Sequence, residues 1–251
     1  RDPSSAASDV YKRQAKDEVI DATKFKSECI QPGTEGLIPN RNVSVGSEDC
    51  LYLNIYIPKN QTDLDKNQFP VMFWIHGGSN IWGSGDFYDF SKLATTQQVI
   101  VVTINYRLGL FGWFSSEHLR NTATGLDKSS NFGQLDLIKG LEWVQENISA
   151  FGGDKDNITI FGESAGGHNV LTLLASPLSE GLFHKAISQS GYVSSYTQKF
   201  AEEESELSSK KIFAEETKFL VSDTEVADYL RSLSSEEAVS YTHLRAHETL
   251  R

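Results

Sequence analysis

The 251-residue sequence has few basic residues, few cysteines and no long apolar stretch. Its 23 lysines and arginines are outnumbered by 34 aspartates and glutamates, which gives a formal net charge of −11 at pH 7. Because binding to a phosphate backbone needs clustered lysine and arginine, nucleic acid is not an expected partner. The longest apolar runs, residues 71–75 and 99–103, are far shorter than the roughly 18 residues of a membrane-spanning helix. We therefore expect no membrane span.

The remaining composition is ordinary for a globular domain, with 39% hydrophobic and 23% charged residues and enough apolar surface for one sizeable core. The two cysteines, Cys29 and Cys50, bracket a stretch at residues 31–36 that is rich in turn formers. In a reducing cytosol they would be separate thiols, whereas in an exported protein they could pair and close that loop. The spacing alone leaves both possibilities open.

Both ends of the chain read as translated adapter DNA. Residues 4–14 can be back-translated into DNA that resembles a transposase-type sequencing-library adapter, and residues 239–243 can be written as the reverse complement of the DNA for most of residues 9–14. Two unrelated protein tails are not expected to be encodable by complementary DNA. We therefore expect residues 1–14 and 239–251 to be non-native tails that do not pack with the core. Residues 15–238 would then be an insert that is open at both ends.

Hydrophobic patterning predicts an α/β protein with a largely parallel sheet. Residues 51–57 alternate aliphatic with polar or aromatic side chains, which is typical of a half-buried strand. Residues 71–75 and 99–104 are continuous apolar runs, as expected of central strands covered on both faces. A helix is predicted between them over residues 87–98, and this order implies a crossover between two parallel strands.

The second half of the insert is predicted to alternate helices and strands in the same way. A helix over residues 134–148 places apolar side chains near one face and ends at a glycine pair. A strand at residues 158–161 is followed directly by a helix that ends near residue 175. The other predictions are a loop over residues 15–42, a short buried strand at 186–190, and peripheral helices after residue 200, one with a capping box at Ser222 and Glu225.

The pattern Gly-x-Ser-x-Gly occupies residues 162–166, where the predicted strand meets the predicted helix. In such a junction the serine has a strained backbone conformation that exposes its hydroxyl, and side chains on the flanking glycines would collide with neighbouring backbone. A short pattern of small residues also arises by chance, so its value depends on this structural context. Because the context fits, Ser164 is the candidate nucleophile.

A second glycine motif, His-Gly-Gly-Ser at residues 76–79, follows the predicted strand at 71–75. The carboxyl ends of parallel strands meet at one edge of the sheet, so this loop is expected to face Ser164. Backbone N–H groups of Gly78, Ser79 and Ala165 could then converge on the oxyanion of a tetrahedral intermediate. A plain glycine turn after a strand is the alternative interpretation.

Two histidines near these motifs are expected to play supporting roles. His168 lies four residues after Ser164, but the elbow directs the serine away from the helix axis, and a general base must come within about 3 Å of its hydroxyl. We therefore expect His168 on the helix surface and His76 as support for the glycine loop. Glu163 is expected beside the nucleophile, where its carboxylate can face the pocket.

Two longer segments resemble the signatures of the type-B carboxylesterase family, which includes the cholinesterases. One is Glu-Asp-Cys-Leu-Tyr-Leu-Asn-Ile-Tyr at residues 48–56, and the other runs from Phe-Gly-Gly-Asp at residue 151 to the serine motif. Shorter matches lie at residues 105–107, 131–133 and 189–191. The resemblance implies an α/β-hydrolase fold over residues 15–238, with a mostly parallel sheet covered by helices on both faces.

The same resemblance implies the roles of individual residues. It implies Ser164 as nucleophile, Gly78, Ser79 and Ala165 as oxyanion donors, Glu163 and Ser190 as supporting residues beside the site, and a disulfide between Cys29 and Cys50. The acidic and histidine members of the triad are expected beyond the insert, since His243 and His247 lie in the predicted tail. Neither a metal nor an organic cofactor is expected.

The sequence departs from the family at two places. Ser79 stands where the family usually has glycine or alanine, and residues 36–42 contain no aromatic side chain. Cholinesterases have a tryptophan there for the choline cation, so cholinesterase activity is not expected.

These features predict the amino-terminal part of a secreted or periplasmic carboxylic ester hydrolase that acts on small esters through an acyl-serine. A catalytically silent, cholinesterase-like binding or adhesion protein and a lipase are the alternatives. The oligomeric state cannot be read from the sequence.

Overall fold

The main sheet of the protein has five strands, four of them parallel. The computed structural model describes residues 22–35, 38–58, 68–205 and 208–243. Within these residues the strand order is β3-β5-β4-β6-β7, and only β3 runs antiparallel to its neighbour. The strands are β3 (Leu53–Tyr56), β4 (Phe69–Ile75), β5 (Ile100–Ile104), β6 (Gly153–Glu163) and β7 (Lys185–Gln189).

The two predicted central strands are confirmed. Val71, Phe73 and Ile75 of β4 are fully buried, as are residues 100–102 of β5, which is why both segments read as continuous apolar runs. Strands β4 and β5 pair in parallel, and the helix that connects them begins at residue 91, later than predicted. Residues 87 and 88, which begin the predicted helix, instead form an exposed aromatic turn.

Helices cover the sheet, and further helices follow the last strand towards the carboxyl terminus of the chain. The described helices are α1 (Ser91–Gln97), α2 (Gly109–Trp113), α3 (Glu117–Thr122), α4 (Phe132–Asn147), α5 (Ala165–Ala175), α6 (Ser209–Ile212), α7 (Ala214–Thr217), α8 (Asp223–Ser232) and α9 (Ser235–His243). Helix α4 matches the prediction for residues 134–148, and its apolar face buries Leu137, Leu141 and Val144 completely. None of the helices in the described residues is long and apolar enough to cross a membrane.

The predicted loop over residues 15–42 holds for residues 22–30 but is wrong from residue 31 onward. Strands β1 (Gln31–Glu35) and β2 (Ile38–Val45) form an antiparallel hairpin with an irregular register near Gly33. The two strands pair with each other rather than with the main sheet, so they lack the apolar alternation that marks a half-buried strand. Residues 15–21 lie outside the described part of the chain.

The last strand was predicted to be buried, and it is not. Strand β7 has one neighbour, β6, and Ile187 on it is 46% exposed. Apolar residues in a short segment indicate that the segment favours a strand. They do not indicate whether a second strand pairs with it and covers it. The prediction therefore holds for the strand itself and fails for its burial.

Cys29 and Cys50 form a disulfide in the structure, as the resemblance implied. Both are almost completely buried and belong to the main hydrophobic core, and Cys29 forms a β-bridge with Ser47, just after the hairpin. The capping box of α8 is also present, with the Ser222 hydroxyl accepting from the Glu225 N–H and the Glu225 carboxylate accepting from the Ser222 N–H.

Part of the predicted carboxyl-terminal tail packs against the protein, contrary to expectation. Val239 on α9 is 5% exposed, and the ring of Tyr241 lies 4.6 Å from that of Phe213. An apolar and an aromatic residue at this spacing can pack as a helix whatever DNA encoded them. The adapter origin of the tails stays a prediction, and residues 1–14 and 244–251 lie outside the described residues.

Candidate active site

Ser164 occupies a sharp turn between a strand and a helix. Strand β6 ends at Glu163 and helix α5 begins at Ala165, and the serine between them has φ 55° and ψ −121°. Such a conformation is strained for a residue with a side chain and persists only where the surroundings enforce it. The Ser164 N–H is held by the carbonyl of Gln189, the last residue of β7, at 2.8 Å.

The glycines on either side of Ser164 are required by close backbone approach, as predicted. A Cβ atom at Gly162 would lie 2.6 Å from the carbonyl carbon of Gly166. At Gly166 it would overlap the carbonyl oxygen of Ile75 and lie 2.7 Å from that of His76. The helix therefore presses directly on the end of β4, which only glycine allows.

The loop at residues 76–79 lies against this turn. Strands β4 and β6 are parallel neighbours with Ile75 opposite Gly162, so both loops leave the same edge of the sheet. A Cβ atom at Gly77 would lie 3.3 Å from the Cβ of Ser164. Gly78 and Ser79 have φ values of 93° and 57°, which turn the chain back sharply after the strand.

Three backbone N–H groups at this junction have no partner within the described residues. They belong to Gly78, Ser79 and Ala165, and none of them donates to a described backbone or side-chain acceptor. Ala165 is the first residue of α5, where an unpaired N–H and the positive end of the helix dipole favour an anion. Free donors beside a half-buried serine are what a tetrahedral oxyanion requires.

His76 lies beneath the glycine loop. Its ring stacks on Tyr106 with the centroids 4.2 Å apart, and its Nδ1 donates to the carbonyl of Gly77 at 2.8 Å. Complete burial lowers the pKa of His76 to about 4, so the imidazole is neutral at pH 7. It therefore supports the loop, in agreement with the prediction.

The remaining predicted residues are near the turn, but none contacts the serine hydroxyl. His168 directs Nδ1 to the carbonyl of Tyr192 at 2.5 Å, which confirms its place away from Ser164. The carboxylate of Glu163 is exposed, and a Cβ at Gly77 would lie 3.2 Å from it. Ser190 follows β7 in a left-handed conformation with φ 53°. Among the described residues the Ser164 hydroxyl has no hydrogen-bond partner.

Buried amide side chains hold the glycine loop in place. Gln31 on the hairpin accepts from the Gly83 N–H at 2.7 Å and donates to the Gly83 carbonyl at 3.0 Å. Asn105 accepts from the Gly85 N–H at 2.7 Å, and Asn169 donates to the side chain of Asn80 at 2.9 Å. Asn105 lies in one of the short segments that match the family, whereas the only sequence signal for Gln31 and Asn169 was an uncharged amide next to apolar residues.

An ion pair stabilises the segment that follows β5, near the glycine loop. Arg107 donates to both carboxylate oxygens of Asp136 on α4, at 2.8 and 2.7 Å, and its N–H donates to the same group. Its guanidinium also lies 5.1 Å from the ring centroid of Phe132. This bidentate pair joins the segment after β5 to the longest helix.

A strained serine between a parallel strand and a helix, with free backbone donors on the adjacent loop, defines an α/β-hydrolase. The family model of the carboxylesterase family matches residues 11–249. The chain belongs to the carboxylesterase family. The match also runs over parts of both predicted tails.

Individual relatives agree with this assignment. The chain is 49% identical over 177 residues to the para-nitrobenzyl esterase of Bacillus subtilis, covering 70% of this chain and 34% of the relative. It is 47% identical over 183 residues to carboxylesterase 1E of Rattus norvegicus, covering 69% of this chain and 31% of that protein. The chain thus spans about a third of the length of these curated relatives.

Solved structures show the same fold. A thermophilic PNB esterase superposes with a TM-score of 0.74 at 36% identity, over 92% of this chain and 45% of that one. A carboxylesterase of Geobacillus stearothermophilus gives a TM-score of 0.73 at 38% identity, over 91% of this chain and 44% of the other. The predicted α/β-hydrolase fold is confirmed.

Proposed function

We propose that this chain is part of a carboxylic ester hydrolase that forms an acyl-serine on Ser164. The observation that carries the proposal is the strained turn at Ser164 next to the free N–H groups of Gly78, Ser79 and Ala165. These groups provide the nucleophile and the oxyanion donors on two loops of one sheet edge. Membership of the carboxylesterase family supports an ester as the substrate.

In the proposed reaction the Ser164 oxygen attacks the ester carbonyl carbon, and the carbonyl oxygen becomes an oxyanion held by the three N–H groups. A base removes the Ser164 hydroxyl proton during the attack and delivers it to the departing alkoxide. Collapse of the intermediate thereby expels the alcohol and leaves an acyl-serine, which water then hydrolyses to the carboxylic acid and free Ser164. The loss of one oxyanion donor typically costs about 3 to 4 kcal/mol of transition-state stabilisation. No metal or organic cofactor takes part in these steps.

We propose that the base and the acid that orients it come from elsewhere in the parent chain, because none of the four histidines whose side chains the structure describes is available. His76 is buried and neutral, His118 is paired with Asp223, and His168 faces Tyr192. His184 accepts from the N–H of Ile158 at 3.1 Å. Without a base a serine hydroxyl is a poor nucleophile, so the chain by itself is expected to be inactive.

We also propose that the parent protein is exported, either secreted or periplasmic. The disulfide between Cys29 and Cys50 supports this, because disulfides persist mainly in oxidising compartments. The substrate is proposed to be a small carboxylic ester, and the acyl and alcohol preferences are left open.

The test uses the full-length parent and its Ser164→Ala variant. We expect the parent to hydrolyse p-nitrophenyl acetate, and we expect the variant to lose about four or more orders of magnitude in kcat while remaining folded. A fluorophosphonate probe should label Ser164, as mapped by mass spectrometry. Ser232→Ala, on the exposed end of α8, is the matched control and should change neither readout.

Full activity in Ser164→Ala, or labelling at another serine, would overturn the assignment. A parent that is inactive and not labelled by the probe would favour the alternative of a catalytically silent binding or adhesion protein. Activity that appears only on emulsified long-chain esters would favour the alternative of a lipase.

A further inference from the structure

The oxyanion loop and the nucleophile helix are joined by one side-chain hydrogen bond. Asn169 lies on α5, five residues after Ser164, and its Nδ2 donates to Oδ1 of Asn80 at 2.9 Å. Asn80 follows directly after Ser79, whose N–H is one of the three free donors. The bond therefore links the two elements on which the oxyanion donors are placed.

The loop needs such a link because its backbone is strained. Ser79 and Asn80 both have left-handed φ values, 57° and 58°, and each non-glycine residue held there costs about 1 to 2 kcal/mol. Asparagine tolerates this conformation better than most residues. A conformation of this kind persists only when surrounding contacts enforce it.

Two contacts at Asn80 provide that restraint. Its carbonyl accepts from the N–H of Gly109 at 2.7 Å, which fixes the backbone. Its side chain is fixed by Asn169, which is 1% exposed and so has no competing water. At the other end of the loop, the Tyr106 hydroxyl donates to the carbonyl of His76 at 2.5 Å. The two ends of the loop are thus held by different side chains, Tyr106 and Asn169.

We propose that Asn169, acting through Asn80, is a positioning residue that sets the orientation of the Ser79 N–H relative to Ser164. The proposal rests on the proposed function, since it assigns a role in the same reaction. Asn169 contacts neither the serine hydroxyl nor the substrate carbonyl in this scheme. Its effect is on the transition state, where the oxyanion is fully formed, rather than on ground-state binding of the ester.

The experiment measures two single variants and their combination in the full-length parent. Asn80→Gly keeps the left-handed backbone and the carbonyl bonded to Gly109 and removes only the side-chain acceptor. Asn169→Leu removes the donor and keeps the branched shape of the side chain in a larger volume. We expect each to lower kcat about threefold to tenfold with KM changed less than about twofold, as loss of one hydrogen bond implies. The double variant should have a kcat no lower than that of the less active single variant, because both substitutions remove the same hydrogen bond.

A second readout separates positioning from a purely structural effect. A trifluoromethyl ketone adds to the serine and forms a hemiketal whose oxyanion uses the same donors, so its affinity should fall by the same factor as kcat. Thr172→Val is the matched control on α5, because the Thr172 hydroxyl bonds only within the helix, to the His168 carbonyl at 3.1 Å. It should leave kcat and the inhibitor affinity unchanged.

Unchanged kcat and inhibitor affinity in Asn80→Gly, or additive losses in the double variant, would overturn the positioning role while leaving the esterase assignment intact. If Asn169→Leu does not fold, Asn80→Gly alone decides the point, because Asn80 lies on the loop and not in the core beneath helix α5. A parent that neither hydrolyses esters nor labels at Ser164 would overturn both proposals.

Discussion

The sheet edge that carries Ser164 and the helices that follow residue 200 are held in place by different kinds of contact. At the sheet edge, backbone touches backbone, as between Gly166 and Ile75, and the strand residues beneath are fully buried. Among the later helices, Phe219 is 82% exposed and Val221 is 89% exposed. The first region tolerates almost no change in shape, whereas the second can vary without disturbing the core.

The later helices are attached through side chains, both apolar ones such as Val226 and Phe213, which are 5% and 3% exposed, and polar ones. Glu202 accepts from Arg120 at 2.6 Å and from Ser115 at 2.7 Å, and His118 pairs with Asp223 at 2.6 Å. The pair of His118 and Asp223 lies at the surface, where solvent screens it, whereas Glu202 is 7% exposed. Side chains can adjust to a substitution, whereas the backbone contacts at the sheet edge that carries Ser164 cannot.

Gly166→Ala should produce the largest effect, because a methyl group there would overlap the carbonyl oxygen of Ile75. Backbone cannot yield as a flexible side chain can, so we expect a loss of at least about 4 kcal/mol in the free energy of unfolding. Urea unfolding followed by circular dichroism measures it. The control is Gly125→Ala, at φ 57° with open space around it, which should cost about 1 kcal/mol. Equal losses of stability in the two variants would contradict the view that backbone contact at the sheet edge makes it intolerant of change.

Leu141→Ala should have the next largest effect. Leu141 on α4 is completely buried, and a cavity of this kind usually costs about 2 to 5 kcal/mol. Leu178, after α5, is 48% exposed, and its replacement by alanine should change stability by about 0.5 kcal/mol or less. Paired urea titrations test this, and a loss at Leu178 as large as that at Leu141 would show that another element covers that surface.

The smallest expected effect is a pH dependence that originates at His76. Burial lowers its pKa to about 4, below the ordinary value near 6.5. The unfolded chain therefore binds the proton more tightly, so the stability contributed by neutral His76 is complete above pH 6.5 and declines as the pH falls toward 4. At pH 5 the expected loss is about 2 kcal/mol relative to pH 8.

His76→Asn should remove this dependence, since an amide can donate to the Gly77 carbonyl without titrating between pH 4 and 8. The exposed His118 provides the control, and His118→Asn should retain the decline below pH 6.5. An unchanged pH profile in His76→Asn would assign the effect to other groups.

Local sequence predicted the elements whose contacts are local or periodic. Helix α4 and strands β4 and β5 were predicted within a few residues, because burial on one or both faces leaves an apolar pattern. The hairpin of β1 and β2 was missed because its strands pair mainly with each other. The exposure of β7 was missed because propensity carries no information about a missing neighbour.

The glycine and serine motifs by themselves determined where the strained serine and the free N–H groups of the adjacent loop lie, because a strand followed by a strained turn constrains which residues can stand there. Only the tertiary structure decided how these loops are held. Asn169 and Asn80 are 89 positions apart, and Gln31 and Gly83 are 52 positions apart. Side-chain hydrogen bonds across such separations leave no periodic pattern in the sequence, since they form only after the sheet has brought the loops together.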